Sequence, residues 1–202
     1  MSEIDPALLA DLLREAMREG KLPFLTVVSN SMSPLIRRGD QIQIAPKTAE
    51  QLQPGDIIVY KGPANLITHR YWGFLSEKEQ TRLVTRGDRP QHFDNPIAPA
   101  NLVGQVIGRR RKQHFLDLAV GRGKWLNNQL ATLARLEIRL FAKPISFSPG
   151  SQVQLPKSGG NLSNLPNNLL IRLIRRFLYS WAIILTLIIS AISNAFIINT
   201  ED

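Results

Sequence analysis

The chain has 202 residues, 44% of them hydrophobic and 20% charged, with 13 Gly, 13 Pro and no Cys. This composition excludes a disordered tail, and the lack of thiols excludes disulfide scaffolds, thiolate metal sites and cysteine nucleophiles, leaving hydroxyls, amines and carboxylates for any covalent chemistry. The net charge of +9 is uneven: residues 1–107 carry 12 Lys+Arg against 12 Asp+Glu, residues 108–176 carry 13 against 2, and residues 177–202 carry 0 against 2. The basic stretch leads into the most apolar part of the chain, which favours an anionic membrane surface over nucleic acid as its partner.

Residues 1–21 read as an amphipathic helix, with Asp5 as N-cap, Pro6 at its first position, an apolar stripe of Leu8, Leu9, Leu12, Leu13 and Met17, and Gly20 ending it. Such a helix either packs on a domain or lies on a membrane. Over 22–112 the pattern changes to short β-type runs, FLTVVS, QIQIA, DIIVYK, LITHRYWGFL, RLVTR and LVGQVIG, separated by turn signals such as Ser33-Pro34, Gly39-Asp40 and Pro54-Gly55-Asp56. The expected fold class is mainly β, a compact, mostly antiparallel domain.

Residues 113–143 form a basic region with helical spacing of Leu126, Leu130, Leu133, Leu136 and Leu140, and with Arg135 and Arg139 on another face. Residues 144–170 are rich in Pro, Ser, Gly, Asn and Gln without an apolar period, the composition of a flexible linker. Residues 171–199 read as a C-terminal transmembrane helix with a basic flank. Its uncharged core runs from Phe177 to Ile198, Tyr179 and Trp181 suit the headgroup level, and Arg172, Arg175 and Arg176 precede it. With no hydrophobic signal near the N-terminus and the arginines on the preceding side, the expectation is a single-pass protein anchored at its C-terminus, with the larger domain in the cytoplasm.

Three places hold side chains suited to chemistry. Ser31 follows a β-run inside the turn-rich Ser29-Asn30-Ser31-Met32-Ser33-Pro34, where a hydroxyl is presented beside free backbone N–H groups. His69 sits in Leu66-Ile67-Thr68-His69-Arg70-Tyr71, on the face of Ile67 and Tyr71 by alternation. Asp88 and Asp94 lie six residues apart in Gly87-Asp88-Arg89-Pro90-Gln91-His92-Phe93-Asp94. Each has an ordinary reading too: a plain turn, a structural histidine, a surface loop.

In their order, however, these segments resemble the S24/S26 serine peptidase superfamily, and within it the signal peptidase I family. The resemblance covers residues 24–108: Ser-Met-x-Pro with Gly-Asp after it, Pro-Gly-Asp-Ile-Ile-Val-Tyr, Thr-His-Arg, Gly-Asp with a second Asp six residues on, and Val-Gly-Gln-Val-Ile-Gly. Histidine stands where one branch of the family has lysine, so the likeness is to the histidine branch of archaeal, endoplasmic-reticulum and sporulation-type enzymes. The resemblance implies a signal-peptidase/LexA-like β-domain with Ser31 as nucleophile, His69 as base, Asp94 orienting His69, Asp88 supporting the same loop, and the Ser29 hydroxyl with the Ser31 N–H holding the oxyanion. It implies no cofactor and no metal. The partners expected are a precursor protein or peptide and membrane lipid, with no nucleic acid. An unperturbed imidazole titrates near neutrality, which suits it to take a serine proton. Lys61 is the nearest lysine and lies off the motif.

The chain departs from the family in Ser-Asn-Ser for Ser-Gly-Ser, where Asn30 is able to adopt glycine-like backbone angles. It also has Gly-Asp-Arg-Pro for Gly-Asp-Asn-Asn, and a C-terminal rather than an N-terminal anchor. A second reading is a non-catalytic, membrane-tethered binding module in which Arg109, Arg110, Arg111 and Lys112 with the basic helix hold anionic lipid or nucleic acid. A third, a repressor-like self-cleaving relative, is disfavoured because one N-terminal helix does not make a helix-turn-helix.

Overall fold

Asp5 closes the first turn of α1 (Pro6–Arg18) by accepting the Ala7 N–H at 2.9 Å, and Pro6 occupies a position where no N–H is needed. The computed structural model describes residues 5–77, 80–90, 92–141, 152–154, 177 and 179–188. It buries Ala10, Leu13 and Met17 of α1 and leaves Leu8 and Leu12 more than half exposed, so the buried stripe is narrower than expected. Arg14 fixes the helix's rotation by donating to the carbonyls of Ala100 and Leu102 at 2.8 and 2.9 Å.

The apolar runs give β2 (Gln41–Ala45), β3 (Ile57–Lys61), β4 (Leu66–Glu77), β5 (Gln80–Arg86) and β6 (Leu102–Arg111). The first run yields only β1 (Phe24–Thr26), because the chain leaves the sheet after Val27 to build the turn at Ser31. All pairings are antiparallel, in the order β1-β2-β6-β3-β4-β5. β7 (His114–Asp117) pairs with the end of β6, and β8 (Gln152–Gln154), within the segment expected to be linker, pairs with β4. β7 lies in the region read as basic and helical. Its signals were the Lys112-Gln113 turn, with Lys112 at φ 55°, and the short Phe-Leu run after it.

β3 is buried on both faces, which is why Ile57 to Tyr60 show no alternation. Ile57 and Val59 join the larger core with Met32, Leu35, Ile36, Ile42, Ile44, Val106, and residues of both helices. Ile58 and Tyr60 join a smaller cluster with Leu52, Tyr71, Leu83 and Leu102 on the other face. The second face is the one that carries the candidate site.

α2 (Gly121–Phe141) follows β7 after a turn in which the Asp117 carboxylate accepts the Ala119 and Val120 N–H groups at 2.8 and 3.1 Å. Gly123 allows close approach there, since a Cβ would collide with the Asp117 carbonyl. Leu126, Leu130, Ala131 and Ile138 face the domain, while Leu136, which shares the helical spacing, is exposed.

The basic run at 109–112 is largely consumed by the fold, which corrects the premise of the binding-module reading. Arg109 is 3% exposed and its pKa is lowered to about 10, chiefly by burial and then by the neighbouring Arg111. Arg110 stacks over the Phe24 ring at 4.0 Å, and Arg111 makes two 2.7 Å bonds to Asp40.

Residues 179–188 are helical, with Ala182 and Leu185 packed on the larger core and Trp181, Ile184, Leu187 and Ile188 exposed. Tyr179 places its hydroxyl 3.3 Å from Ser33 Oγ. Among the described residues no helix is long and apolar enough to cross a membrane. The rest of the expected span, its arginine flank and most of the expected linker lie outside the described residues.

Candidate functional site

The turn that presents Ser31 is anchored from below. Met32, Leu35 and Ile36 are 2%, 0% and 0% exposed, and the Ile36 N–H closes onto the Met32 carbonyl at 3.0 Å. Asn30 contributes through its side chain, since its Oδ1 accepts the Arg38 N–H at 3.0 Å. Among the described non-glycine residues only Lys112 has a positive φ, so the glycine-like angles open to Asn30 are not used here. Ser31 Oγ lies 3.1 Å from Ser29 Oγ, and the Ser31 N–H points to the same Ser29 oxygen at 3.5 Å.

His69 is paired with Ile58 in the β3–β4 ladder and faces the smaller cluster, as alternation requires. Its Nδ1 is 2.6 Å from Asp94 Oδ2. The Asp94 N–H donates to the Thr85 carbonyl at 2.9 Å, which fixes the carboxylate against β5. Two residues that sequence reasoning did not single out reach the same oxygen, Thr85 Oγ1 at 2.7 Å and Tyr60 OH at 3.1 Å. Burial pushes the Tyr60 pKa far above the usual tyrosine range; the Thr85 hydrogen bond offsets part of this and the Asp94 charge adds to it. Tyr60 is therefore a hydroxyl, not a phenolate, at any ordinary pH.

The segment 87–94 is tied to Ser31 on one side and to β5 on the other. The Arg89 N–H donates to the Ser31 carbonyl at 2.9 Å. A Cβ built on Gly87 would lie 2.9 Å from that same carbonyl oxygen, 3.0 Å from His69 Nε2 and 2.7 Å from Pro90 Cδ. Gly87 thus marks the place where the Ser31 turn and the outer nitrogen of His69 meet. Among the described residues no hydrogen bond joins Ser31 Oγ to His69, so the row is closed from His69 to Asp94 and open at the serine. Such bonds commonly tighten only when substrate binds.

Asp88 is placed elsewhere. It forms a two-bond pair with Arg70, Nε to Oδ1 and NH2 to Oδ2, both 2.8 Å, and among the described residues makes no hydrogen bond to His69. Arg70 is fully buried and also donates to the Gly55 carbonyl and Asn127 Oδ1 at 2.7 Å. Opposite it across the β4–β5 ladder stands Arg86, also buried, bonded to the Pro90 carbonyl at 2.7 Å and to Glu137 at 2.9 Å. Alternation puts these two arginines on the face away from His69, where α2 holds them. Lys61 lies with Tyr60 and Asp94 along a cleft of about 1060 Å³ and bonds none of Ser31, His69 or Asp94. Among the described residues no group of three or more His, Asp or Glu could hold a metal ion.

Gly87→Ala is expected to leave the fold largely intact and to impair the site. The added carbon must displace the Ser31 backbone or the His69 ring by a few tenths of an ångström or more, and misplacement of reacting groups by about 1 Å costs about 100-fold in rate. The NMR signals of the His69 ring read alongside thermal unfolding check this: shifted ring signals with a nearly unchanged transition are the expected pair of results.

The geometry defines a mainly antiparallel β-domain that sets a turn serine beside a histidine–aspartate pair. In sequence the chain is similar to the signal peptidase complex catalytic subunit sec11 of Sclerotinia sclerotiorum, 25% identical over 129 residues that cover 58% of this chain and 75% of that protein. No family model matches the chain. The likeness is distant and is to a signal peptidase.

Proposed function

We propose that the protein is a serine endopeptidase of the signal peptidase I kind that cleaves signal, leader or pro-peptides from precursor proteins, with Ser31, His69 and Asp94 as its reacting row. The observation that carries this reading is the 2.6 Å contact from His69 Nδ1 to Asp94, with Nε2 turned toward the position where Gly87 meets the Ser31 turn. In the proposed sequence Ser31 Oγ attacks the scissile carbonyl while His69 Nε2 takes its proton, and Asp94 accepts the Nδ1–H and stabilises the imidazolium. The Ser29 hydroxyl and the Ser31 N–H, now turned on each other, are the donors for the oxyanion. Collapse breaks the C–N bond, His69 returns the proton to the leaving amine, and water activated by the same imidazole hydrolyses the acyl-serine.

Among the described residues β1 pairs only with β2 and leads into the Ser31 turn, so an extended precursor segment can add at its other edge as a further strand. Anchoring through the apolar stretch 177–198, with the β-domain on the cytoplasmic side, belongs to the same proposal. Its support is the exposed apolar Trp181, Ile184, Leu187 and Ile188, while Ala182 and Leu185 of the same segment pack on the β-domain core.

The test compares free protein N-termini in the native host carrying wild-type chain or Ser31→Ala at equal abundance. Loss of a defined set of N-termini in the variant is the expected result and identifies substrates and cleavage rule together. An unchanged set, with wild-type protein present and membrane-bound, overturns the reading.

A further inference from the structure

We propose that Tyr60 and Thr85 are positioning residues of this site: a pair of hydroxyl donors that hold Asp94 as an acceptor and so keep the His69 proton on Nδ1. The catalytic consequence rests on the Ser31–His69–Asp94 reading, while the geometry stands without it.

Asp94 Oδ2 receives contacts from three neighbouring strands, His69 of β4 at 2.6 Å, Thr85 of β5 at 2.7 Å and Tyr60 of β3 at 3.1 Å. An oxygen so surrounded by donors has no direction left for a proton of its own, and hydrogen bonds to the charged form of a carboxylate favour that form. Thr85 has a single hydroxyl proton. Its oxygen lies 2.7 Å from the carboxylate and 3.3 Å from the Tyr60 oxygen, so the proton goes to Asp94. The Tyr60 hydroxyl then supplies its own proton to the same atom.

With Oδ2 committed to accepting, a neutral His69 must donate from Nδ1. Nε2 is left with its lone pair facing Gly87 and the Ser31 turn, which is the tautomer a base for Ser31 requires. Other charged groups around the cluster are Lys61 and Arg82 on the cleft walls, the exposed His92 of the same loop, and the pairs Arg70–Asp88 and Arg86–Glu137 on the opposite face of β4 and β5. None of them bonds Asp94 among the described residues, so the two hydroxyls are its side-chain donors besides His69.

The experiment is nitrogen and proton NMR of the histidine rings in the full-length chain in detergent micelles, with the His69 signals assigned by their loss in His69→Gln. The wild-type chain should show the ring proton on Nδ1 and a strongly downfield Nδ1–H. In Tyr60→Phe/Thr85→Val that signal should weaken or vanish, because a carboxylate released by both hydroxyls is free to turn away from the ring. Thr85→Ser, which keeps the hydroxyl, should behave as wild type.

On a synthetic peptide spanning a Ser31-dependent cleavage site, the double variant should lose about 10–100-fold in kcat with KM little changed, the range for hydrogen bonds to a charged group. If the double variant does not fold, Tyr60→Phe and Thr85→Val are read singly for the same shifts. An unchanged tautomer and Nδ1–H signal in folded variants overturns the inference, whatever cleavage shows. A changed tautomer without Ser31-dependent cleavage in any background supports the hydroxyl pair and overturns the peptidase reading instead.

Discussion

His69→Ala should abolish cleavage almost entirely, a loss on the order of 10⁴-fold, while the thermal transition moves little. The proposed mechanism leaves no substitute for the base. His69 Nε2 faces the Ser31 turn across Gly87, and among the described residues no titratable side chain other than Asp94 bonds His69 or Ser31. Lys61 is the only competitor that sequence proximity suggests, and it sits at the end of β3 on the cleft wall, without a bond to Ser31 or Asp94. An imidazole must be neutral to accept the serine proton, so the rate in the wild-type chain should fall as pH decreases. Measuring kcat/KM against pH for wild type and His69→Ala separates the possibilities. Full activity in the variant, or a rate that rises only in the alkaline range of an amine, points to a lysine base and sinks the assignment.

Asp88→Ala should give the largest loss of stability of any single change in the loop, about 3–5 kcal/mol, because it leaves a buried guanidinium without its counter-charge. Arg70 is 0% exposed and loses both of its 2.8 Å bonds to the carboxylate. The Gly55 carbonyl and Asn127 remain but carry no charge. The cost is compounded by Arg86, which stands opposite Arg70 in the ladder and relies on Glu137 for its own neutralisation. Denaturant midpoints at constant slope measure the loss. Arg70→Met with Asp88→Leu, which removes both charges, should recover much of it, since well-packed apolar replacements of buried pairs are often neutral or better. A fall below about 1 kcal/mol for Asp88→Ala would show that the pair is screened in solution.

Much of the β-domain was legible in the sequence because its signals are local. Short β-type runs and the turn residues between them placed β2 to β6 closely, and the Asp5-Pro6 start of α1 was encoded by two residues. β7 was missed because four residues after a run of arginines and a lysine carry too little pattern to outweigh the helical spacing that follows them. The exposure of Leu8, Leu12 and Leu136 was not legible for another reason. Helical period sets which residues share a face, but the partner's shape sets which part of that face is covered.

By itself the sequence determined a mainly β-domain between helices, a serine at a strand-ending turn, a histidine inside a strand, and two aspartates in one loop, since each depends on a few adjacent residues. Only the tertiary structure decided which of these groups meet. It sends Asp94 to His69 across 25 residues of chain and Asp88 to Arg70, brings Tyr60 and Thr85 onto the same carboxylate oxygen, and turns Arg109 and Arg111 inward. Those contacts follow from strand register and the order of strands in the sheet, where a shift of one residue would turn every side chain to the other face, and no local pattern specifies them.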